Sequence, residues 1–119
     1  MASQTYDIIT VGGGIAGSIL ARAMAQHGAK VLILESATSF RDRVRGEAMG
    51  PWSTKETMEL GVYDTRMAAG ANHLRYWNEY RGPEVMDRID LVANPVPQMP
   101  MLAIYHPDLQ EAQSEVASH

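Results

Sequence analysis

The 119-residue chain contains no cysteine. It therefore cannot form disulfides, thiolate metal sites or a cysteine nucleophile, and this composition favours the reducing cytoplasm, where we expect the protein to reside. The longest apolar run near the N-terminus, Ile8–Val11, is interrupted by Thr10. A membrane span needs roughly 20 apolar residues, and no signal-peptide pattern is present, so we expect no membrane association.

The chain also lacks a large excess of positive or negative charge. The chain carries 10 Lys and Arg against 14 Asp and Glu, a net charge of −4. This balance argues against a nucleic-acid partner. His73 and His106 form no metal-ligand spacing with a carboxylate pair, so no metal site is expected. Ser18 has no His–Asp partners at a readable spacing, so nucleophilic catalysis is not expected either. With 45% hydrophobic residues the chain can build a core, and we predict one domain over residues 1–119.

The first 35 residues predict a strand, a glycine turn, a helix and a second strand. Residues 6–11 are β-branched and aromatic and end at three glycines, which is typical of a buried strand before a tight turn. From Ile15 to Gly28, small and apolar residues recur at helical spacing. Residues 30–35 form an apolar run without alternation, as expected when both faces of a sheet are covered. The expected arrangement is a parallel pair joined by a right-handed crossover.

The glycine turn has the spacing of a dinucleotide-binding fingerprint. Gly12, Gly14 and Gly17 form G-x-G-x-x-G, and Glu35 follows 18 residues after the last of them. In this motif the first glycine permits the tight turn and the second lets the backbone approach a pyrophosphate. The third allows close packing of the helix. The sequence therefore predicts a dinucleotide site at this turn.

The helix start and the end of the second strand supply the polar groups of that site. Ile15 and Ala16 lie in the first helical turn, whose N–H groups and partial positive charge suit phosphates. Glu35, followed by Ser36, can accept hydrogen bonds from an adenosine ribose and would repel a 2′-phosphate, which disfavours NADP. These residues by themselves are compatible with either NAD or FAD.

The rest of the chain predicts further helices and an antiparallel hairpin. The predicted elements are a loop over 36–50, helices over 52–60 and 62–69, a strand over 73–81 with a hairpin partner over 85–92, an extended segment over 94–100 and a last helix over 108–117. The fold class is therefore α/β, a Rossmann-like βαβ dinucleotide-binding fold with an additional β-hairpin and helices.

Three motifs resemble those of a known family. The fingerprint, continued by Ala21, Ala25, Gly28 and Val31, is similar to the FAD-binding fold of the glutathione-reductase type. Residues 41–47 (Arg-Asp-Arg-Val-Arg-Gly-Glu), with 51–52 (Pro-Trp) and 59–61 (Glu-Leu-Gly), resemble single-component flavin monooxygenases of the aromatic-hydroxylase class. Residues 105–112 resemble the helix start that follows the hairpin in that family. The resemblance covers residues 6–112.

The resemblance implies FAD as the cofactor and adds residues to the candidate site. In such enzymes an arginine of the loop after the second strand contacts the flavin nucleotide, and Arg45 occupies that place. At the start of the later helix the family usually has Arg or Gln reaching the FAD, and His106 or Gln110 is the nearest counterpart. The candidate cofactor-binding residues are Gly12, Gly14, Ile15, Ala16, Gly17, Glu35, Ser36, Arg45 and His106. We expect no catalytic residue among them.

The family continues for some hundreds of residues, with later FAD-holding motifs and a substrate domain. We therefore expect a truncated, N-terminal FAD-binding segment of a flavin-dependent monooxygenase, whose own activity the sequence leaves open. The alternatives are a non-catalytic subunit that needs a partner chain, and an NAD-binding domain. We also expect a homo-oligomer or a complementary chain, because apolar surface should be left uncovered. The residues expected at that surface are Trp52, Tyr76, Trp77, Met99, Met101, Leu102 and Ile104.

Overall fold

The computed structural model describes residues 4–42, 48–93 and 96–117. The chain divides into two compact units: the first comprises residues 1–43 and 106–119, the second residues 44–105. In chain order the elements are β1 (Ile8–Val11), α1 (Ile15–Gln26), β2 (Val31–Leu34), β3 (Ala48–Met49), α2 (Pro51–Glu59), α3 (Tyr63–Ala68), β4 (Asn72–Leu74), β5 (Tyr76–Arg81), β6 (Glu84–Asp90), β7 (Met101–Ala103) and α4 (His106–Ala117). No helix in these described ranges has the length and apolar character needed to cross a bilayer.

The first unit contains the predicted βαβ arrangement. Strands β1 and β2 pair in parallel, with Ile8 opposite Val31 and Val11 opposite Leu34, and α1 connects them. Helix α1 ends at Gln26 with His27 as its C-cap, and Gly28 just beyond has a φ of 86°, which few other residues adopt. Helix α4 packs against α1 although some eighty residues separate them in the chain. The predicted α/β fold class is confirmed.

One face of the β1–β2 pair is exposed. Ile9 and Val11, two residues apart and therefore on the same face, are 56% and 86% exposed, whereas Thr10 between them is buried. The prediction that both faces of this sheet are covered is wrong for the described residues. The chain supplies a helix layer on one side of the two strands and leaves apolar side chains accessible on the other.

The second unit is built around a strand that the sequence did not predict. Strand β7 lies between β3 and β4 in an antiparallel sheet and is hydrogen-bonded to both. This central position buries Leu102 and, just after the strand, Ile104, at 0% and 3% exposure. The expectation that these two residues are uncovered is therefore wrong. Strand β3 also lies inside the segment predicted as a loop over 36–50.

A hairpin of β5 and β6 forms a separate two-stranded sheet. The predicted hairpin partner and the turn at Gly82 are confirmed. The single strand predicted over 73–81 is wrong, because the chain breaks at Arg75 into β4 and β5, which pair in different sheets. The break is held by Arg75 itself: its carbonyl accepts the N–H of Leu91 at 2.9 Å, and its guanidinium binds the carboxylate of Asp90.

Candidate functional site

The glycine turn after β1 is shaped by two close backbone approaches. Gly12 has a φ of +102°, and its N–H donates to the carbonyl of Leu34 at 2.7 Å, which extends the β1–β2 pairing by one residue. A Cβ on Gly17 would overlap the carbonyl oxygen of Gly12. Glycine is therefore required at position 17, because the first turn of α1 passes close to the backbone of Gly12. The fingerprint predicts this close packing.

The start of α1 presents backbone donors without a side-chain cap. Gly14 is the N-cap residue in extended conformation, and the first helical hydrogen bond runs from the N–H of Ser18 to its carbonyl at 2.9 Å. The N–H groups of Ile15, Ala16 and Gly17 consequently have no acceptor within the helix. The first turn contains no acidic residue that would oppose an anion. This end of α1 is suited to a phosphate.

Gly14 itself faces open space. A Cβ at this position would meet only the amide Nε2 of Gln110, at 4.0 Å. A ligand can therefore come into van der Waals contact with the α-carbon of Gly14. The structure brings the predicted residues 12 to 17 together in one continuous turn and helix start.

Ser18 contributes to this turn in a way that sequence reasoning missed. Its hydroxyl donates to the carbonyl of Gly13 at 2.7 Å, and the residue is 2% exposed. The hydrogen bond fixes the carbonyl at the middle of the glycine triplet. The available signal was a small polar residue directly after the last fingerprint glycine.

Glu35 lies at the end of β2 and is held by two backbone donors. Its Oε2 accepts the N–H of Gly13 and its Oε1 accepts the N–H of Ala37, both at 2.7 Å. The N–H of Ala37 first, and then that of Gly13, hold the pKa of Glu35 below its ordinary value. The side chain is therefore a carboxylate at neutral pH, with lone pairs left on both oxygens for further hydroxyl donors.

Gly13 is the second residue that the sequence pattern did not single out. A Cβ there would lie 3.1 Å from the Cβ of Glu35, so its neighbour would have to move. In the fingerprint this position is unspecified, and only the run of three glycines gave a hint. The pair of Gly13 and Glu35 joins the turn after β1 to the end of β2.

An open cleft of about 520 Å³ lies at the carboxyl ends of the two parallel strands, where α/β sheets bind their ligands. Ser36 lies at this cleft, with its hydroxyl 3.5 Å from Oε1 of Glu35. The residues lining the cleft are Val11, Gly12, Ile33, Leu34, Glu35 and Ser36. Open space, free helix donors and a carboxylate together fit the adenosine diphosphate half of a dinucleotide.

Two predicted site residues stand apart from the glycine turn in sequence. His106 is the first residue of α4, and its buried Nδ1 has no hydrogen-bond partner among the described residues. The helix begins two residues earlier than predicted, since Pro107 is compatible with a first helical turn. Arg45 lies outside the described residues.

Curated relatives of the chain include two fungal squalene epoxidases. The one from Candida albicans is 33% identical over 106 residues, which is 84% of this chain and 21% of the relative. The one from Schizosaccharomyces pombe is 41% identical over 64 residues, 54% of this chain and 14% of the relative. The chain thus spans about a fifth or less of these relatives' length.

Solved structures show the same fold at low sequence identity. A p-nitrophenol 4-monooxygenase from Pseudomonas putida superposes with a TM-score of 0.79 at 21% identity, covering 93% of this chain and 29% of that one. A flavoprotein/dehydrogenase from Cytophaga hutchinsonii gives a TM-score of 0.83 at 22% identity, covering 97% and 28%. The Rossmann-like architecture is shared with these proteins.

The profile of the FAD binding domain family matches residues 5–115, nearly the whole chain. The resemblance to the FAD-binding segment of flavin-dependent monooxygenases that the motifs indicated is confirmed, and so is FAD as the cofactor. The chain belongs to the FAD binding domain family.

Proposed function

We propose that the first unit holds the adenosine diphosphate half of FAD. Gly12, Gly14 and the N–H groups of Ile15, Ala16 and Gly17 bind the diphosphate, and Glu35 accepts hydrogen bonds from the ribose hydroxyls. The observation that carries this assignment is the meeting of an uncapped helix start with a charged carboxylate, joined by the Gly13–Glu35 hydrogen bond of 2.7 Å. Fixed donors facing an anion cost little to organise on binding.

Three further residues complete the proposed site. Ser36, next to the carboxylate at the cleft, is placed to contact the ribose. Arg45 is assigned to the flavin nucleotide on the resemblance of residues 41–47 alone. His106 is assigned to the same cofactor on the resemblance, as a counterpart of the family's Arg or Gln at the start of this helix. We take residues 1–119 as one FAD-binding domain made of the two units.

The reaction of the complete protein is proposed to be the insertion of one oxygen atom into an organic substrate. The names of its relatives, an epoxidase and a monooxygenase, support this class. FAD supplies electron transfer between a reduced nicotinamide and dioxygen in such enzymes, and the protein positions it. The residues of this chain bind and orient the nucleotide end, and none of them is assigned a proton-transfer role.

The chain alone is therefore expected to be at most a weak oxidase. The cleft of the proposed site is open, so a flavin held by this chain alone would be accessible to water, which favours hydrogen peroxide over oxygen insertion. Slow NADH oxidation with stoichiometric hydrogen peroxide is the expected activity of the purified chain with FAD. Coupled formation of a hydroxylated or epoxidised product by this chain alone would contradict the proposal.

The proposal also includes a partner chain and a cellular compartment. The exposed face of β1 and β2 and the exposed hairpin favour a homo-oligomer or a complementary chain that covers them. The cysteine-free composition favours the cytoplasm.

Titration of the purified chain with FAD, ADP, FMN and NAD tests the site. FAD and ADP should both bind, FMN should bind far more weakly, and Gly14→Val should remove FAD and ADP binding. Glu111→Gln on the exposed side of α4 is the matched control and should bind as the wild type does. Preferential binding of NAD would support the NAD-binding alternative, and unchanged FAD affinity in Gly14→Val would contradict the assigned site.

A further inference from the structure

Strand β5 has one free edge. It pairs only with β6, in a sheet of two strands, and all six of its residues are exposed. Its other edge therefore carries backbone N–H and C=O groups that no strand of the described residues pairs with. Three of the six residues are aromatic. A regular edge of this kind is a template for a further strand.

The hydrogen bonds of the hairpin identify the residues of β5 that face this edge. The N–H of Leu91 donates to the carbonyl of Arg75 at 2.9 Å, and the hairpin register, continued by one residue, places these two residues opposite each other. Successive residues of an antiparallel strand point their backbone groups alternately toward the partner strand and away from it. Tyr76, Asn78 and Tyr80 therefore point their N–H and C=O groups into the free edge.

The outer edge of β6 is protected, in contrast to that of β5. The register skips Met86, so the bulge of the hairpin lies in β6 and β5 keeps a regular backbone. Arg88 lies opposite Asn78, and its outward N–H donates to the carboxylate of Asp87 at 2.7 Å. Four of the seven residues of β6 are charged, against two of six in β5. Bulges and charges keep an edge strand from pairing, so a further strand is expected at β5.

The sequence of β5 is complementary to itself in an antiparallel pair. A twofold axis through Asn78 places this residue opposite its own copy, and it places Tyr76 opposite the partner's Tyr80. These are the outward-facing positions, and each such pair can exchange two backbone hydrogen bonds. The two central amides can also bond to each other, and aromatic cross-strand pairs are favourable. An axis through Glu79 would instead place two like charges opposite each other.

We propose that two copies of this chain pair through the free edges of their β5 strands, with Asn78 on the twofold axis. The two hairpins then form one four-stranded sheet in the order β6–β5–β5–β6. Both outer strands of this sheet are the protected β6, so association through the hairpin stops at a dimer. This inference rests on the proposed association of the chain with itself and names the surface that forms it.

Proline substitution at the centre of each strand tests which edge pairs. Asn78→Pro removes an outward N–H and leaves the N–H groups that bind β6 in place. Two backbone hydrogen bonds are lost per dimer, so the dissociation constant of the dimer should rise by roughly thirtyfold. Arg88→Pro makes the same change on the opposite edge and is the matched control, which should associate as the wild type does. Sedimentation velocity over a dilution series gives the dissociation constants.

Cysteine substitution tests the register, because the chain has no cysteine of its own. Opposite residues in a hydrogen-bonded antiparallel pair have α-carbons about 5.5 Å apart, which is within the range of a disulfide. Asn78→Cys should therefore form a disulfide-linked dimer when added oxidised glutathione oxidises the two thiols. Glu79→Cys is the matched control, since its copy lies two positions away along the paired strand. Denaturing electrophoresis without reductant should show a dimer for Asn78→Cys and a monomer for Glu79→Cys.

The outcomes separate the proposed surface from the association itself. A wild type that sediments as a monomer at every concentration would contradict both. A dimer that keeps its affinity in Asn78→Pro, or loses it equally in Arg88→Pro, would contradict pairing through β5 while the association stands. Cross-linking of Glu79→Cys in place of Asn78→Cys would overturn the register, and cross-linking of neither would overturn the pairing. The cysteine variants decide the question if circular dichroism shows that Asn78→Pro does not fold.

Discussion

The Oε2 atom of Glu35 accepts the backbone N–H of Gly13 at 2.7 Å, across 22 positions of sequence. The acid proposed to bind the ribose therefore also braces the glycine turn proposed to bind the diphosphate. A second brace, from the N–H of Ala37 to Oε1, prevents the carboxylate from rotating away. The two ends of the nucleotide site are thus positioned by one side chain.

Replacing Glu35 by alanine should weaken FAD selectively. A carboxylate that accepts hydrogen bonds from ribose hydroxyls should contribute roughly tenfold to a hundredfold in affinity, the range for charge-assisted hydrogen bonds. FMN has no adenosine and should bind the variant and the wild type alike. Titrations of both flavins followed by fluorescence provide the measurement. Equal losses for FAD and FMN would indicate a disturbed fold rather than a lost contact.

Substitution of Gly14 should affect FAD binding, whereas substitution of Gly17 should affect the free energy of unfolding. A Cβ on Gly17 overlaps the carbonyl of Gly12, so Gly17→Ala should lower the free energy of unfolding by about 3 kcal/mol. A side chain on Gly14 meets only the flexible amide of Gln110, so Gly14→Val should fold normally and yet lose FAD. Urea denaturation followed by circular dichroism gives the first effect and flavin titration the second. Similar unfolding curves for the two variants would contradict this distinction.

The hairpin should lose stability in acid through the Arg75–Asp90 pair. Arg75 binds both carboxylate oxygens of Asp90, at 2.8 to 3.1 Å, and this hydrogen bonding lowers the pKa of Asp90 from 3.8 to about 2. Since the pKa is lowered in the folded state, the stabilisation is complete above about 3.8 and is lost as the pH falls through about 2. Asp90→Asn should remove this pH dependence.

The fluorescence of Trp77, which lies in the hairpin, reports the transition in a Trp52→Phe background. The wild-type hairpin should change its emission near pH 2, while the Asp90→Asn variant should show no such step. If the emission changed at the same pH in the wild type and in Asp90→Asn, a group other than Asp90 would be responsible.

The chain should associate with itself at micromolar concentration. Tyr80 and Val85 are cross-strand partners on the hairpin and are 62% and 54% exposed, and a two-stranded hairpin is only marginally stable without further cover. Placing lysine at both positions should shift the chain toward monomer in sedimentation velocity. Met58→Lys, an exposed apolar position on α2, is the control and should leave association unchanged. A monomeric, folded wild type loaded with FAD would contradict the prediction.

The first unit was predictable because its signals are local. Strand β1, the glycine turn and α1 are contiguous, and the close approach that requires Gly17 is to the carbonyl of Gly12, five residues earlier. Glu35 could be placed for the same reason, since the end of β2 fixes it beside β1. Gly13 was missed because its constraint comes from the side chain of Glu35, which the spacing of the fingerprint does not encode.

The second unit was less predictable because its short strands depend on distant partners. Strands β3 and β7 have two and three residues, too few to show alternation, and they pair across about 50 positions. The break at Arg75 depends on Asp90, which is 15 residues away. Leu102 and Ile104 looked like uncovered apolar residues only because their partners were unknown. Pairing of this kind is a tertiary effect that overrides local pattern.

The first unit is discontinuous: its last helix, α4, begins only at residue 106. During synthesis the N-terminal strands and α1 leave the ribosome long before the helix that packs on α1 exists, and the whole second unit is made in between. The side of α1 that packs against α4 therefore stays open to water or to chaperones until residues 106–117 have been made. A chain that stops, or is cut, between β7 and α4 would therefore lose the helix that packs on α1, directly after the glycine turn. Completion of the first unit therefore requires synthesis of the chain through residue 117.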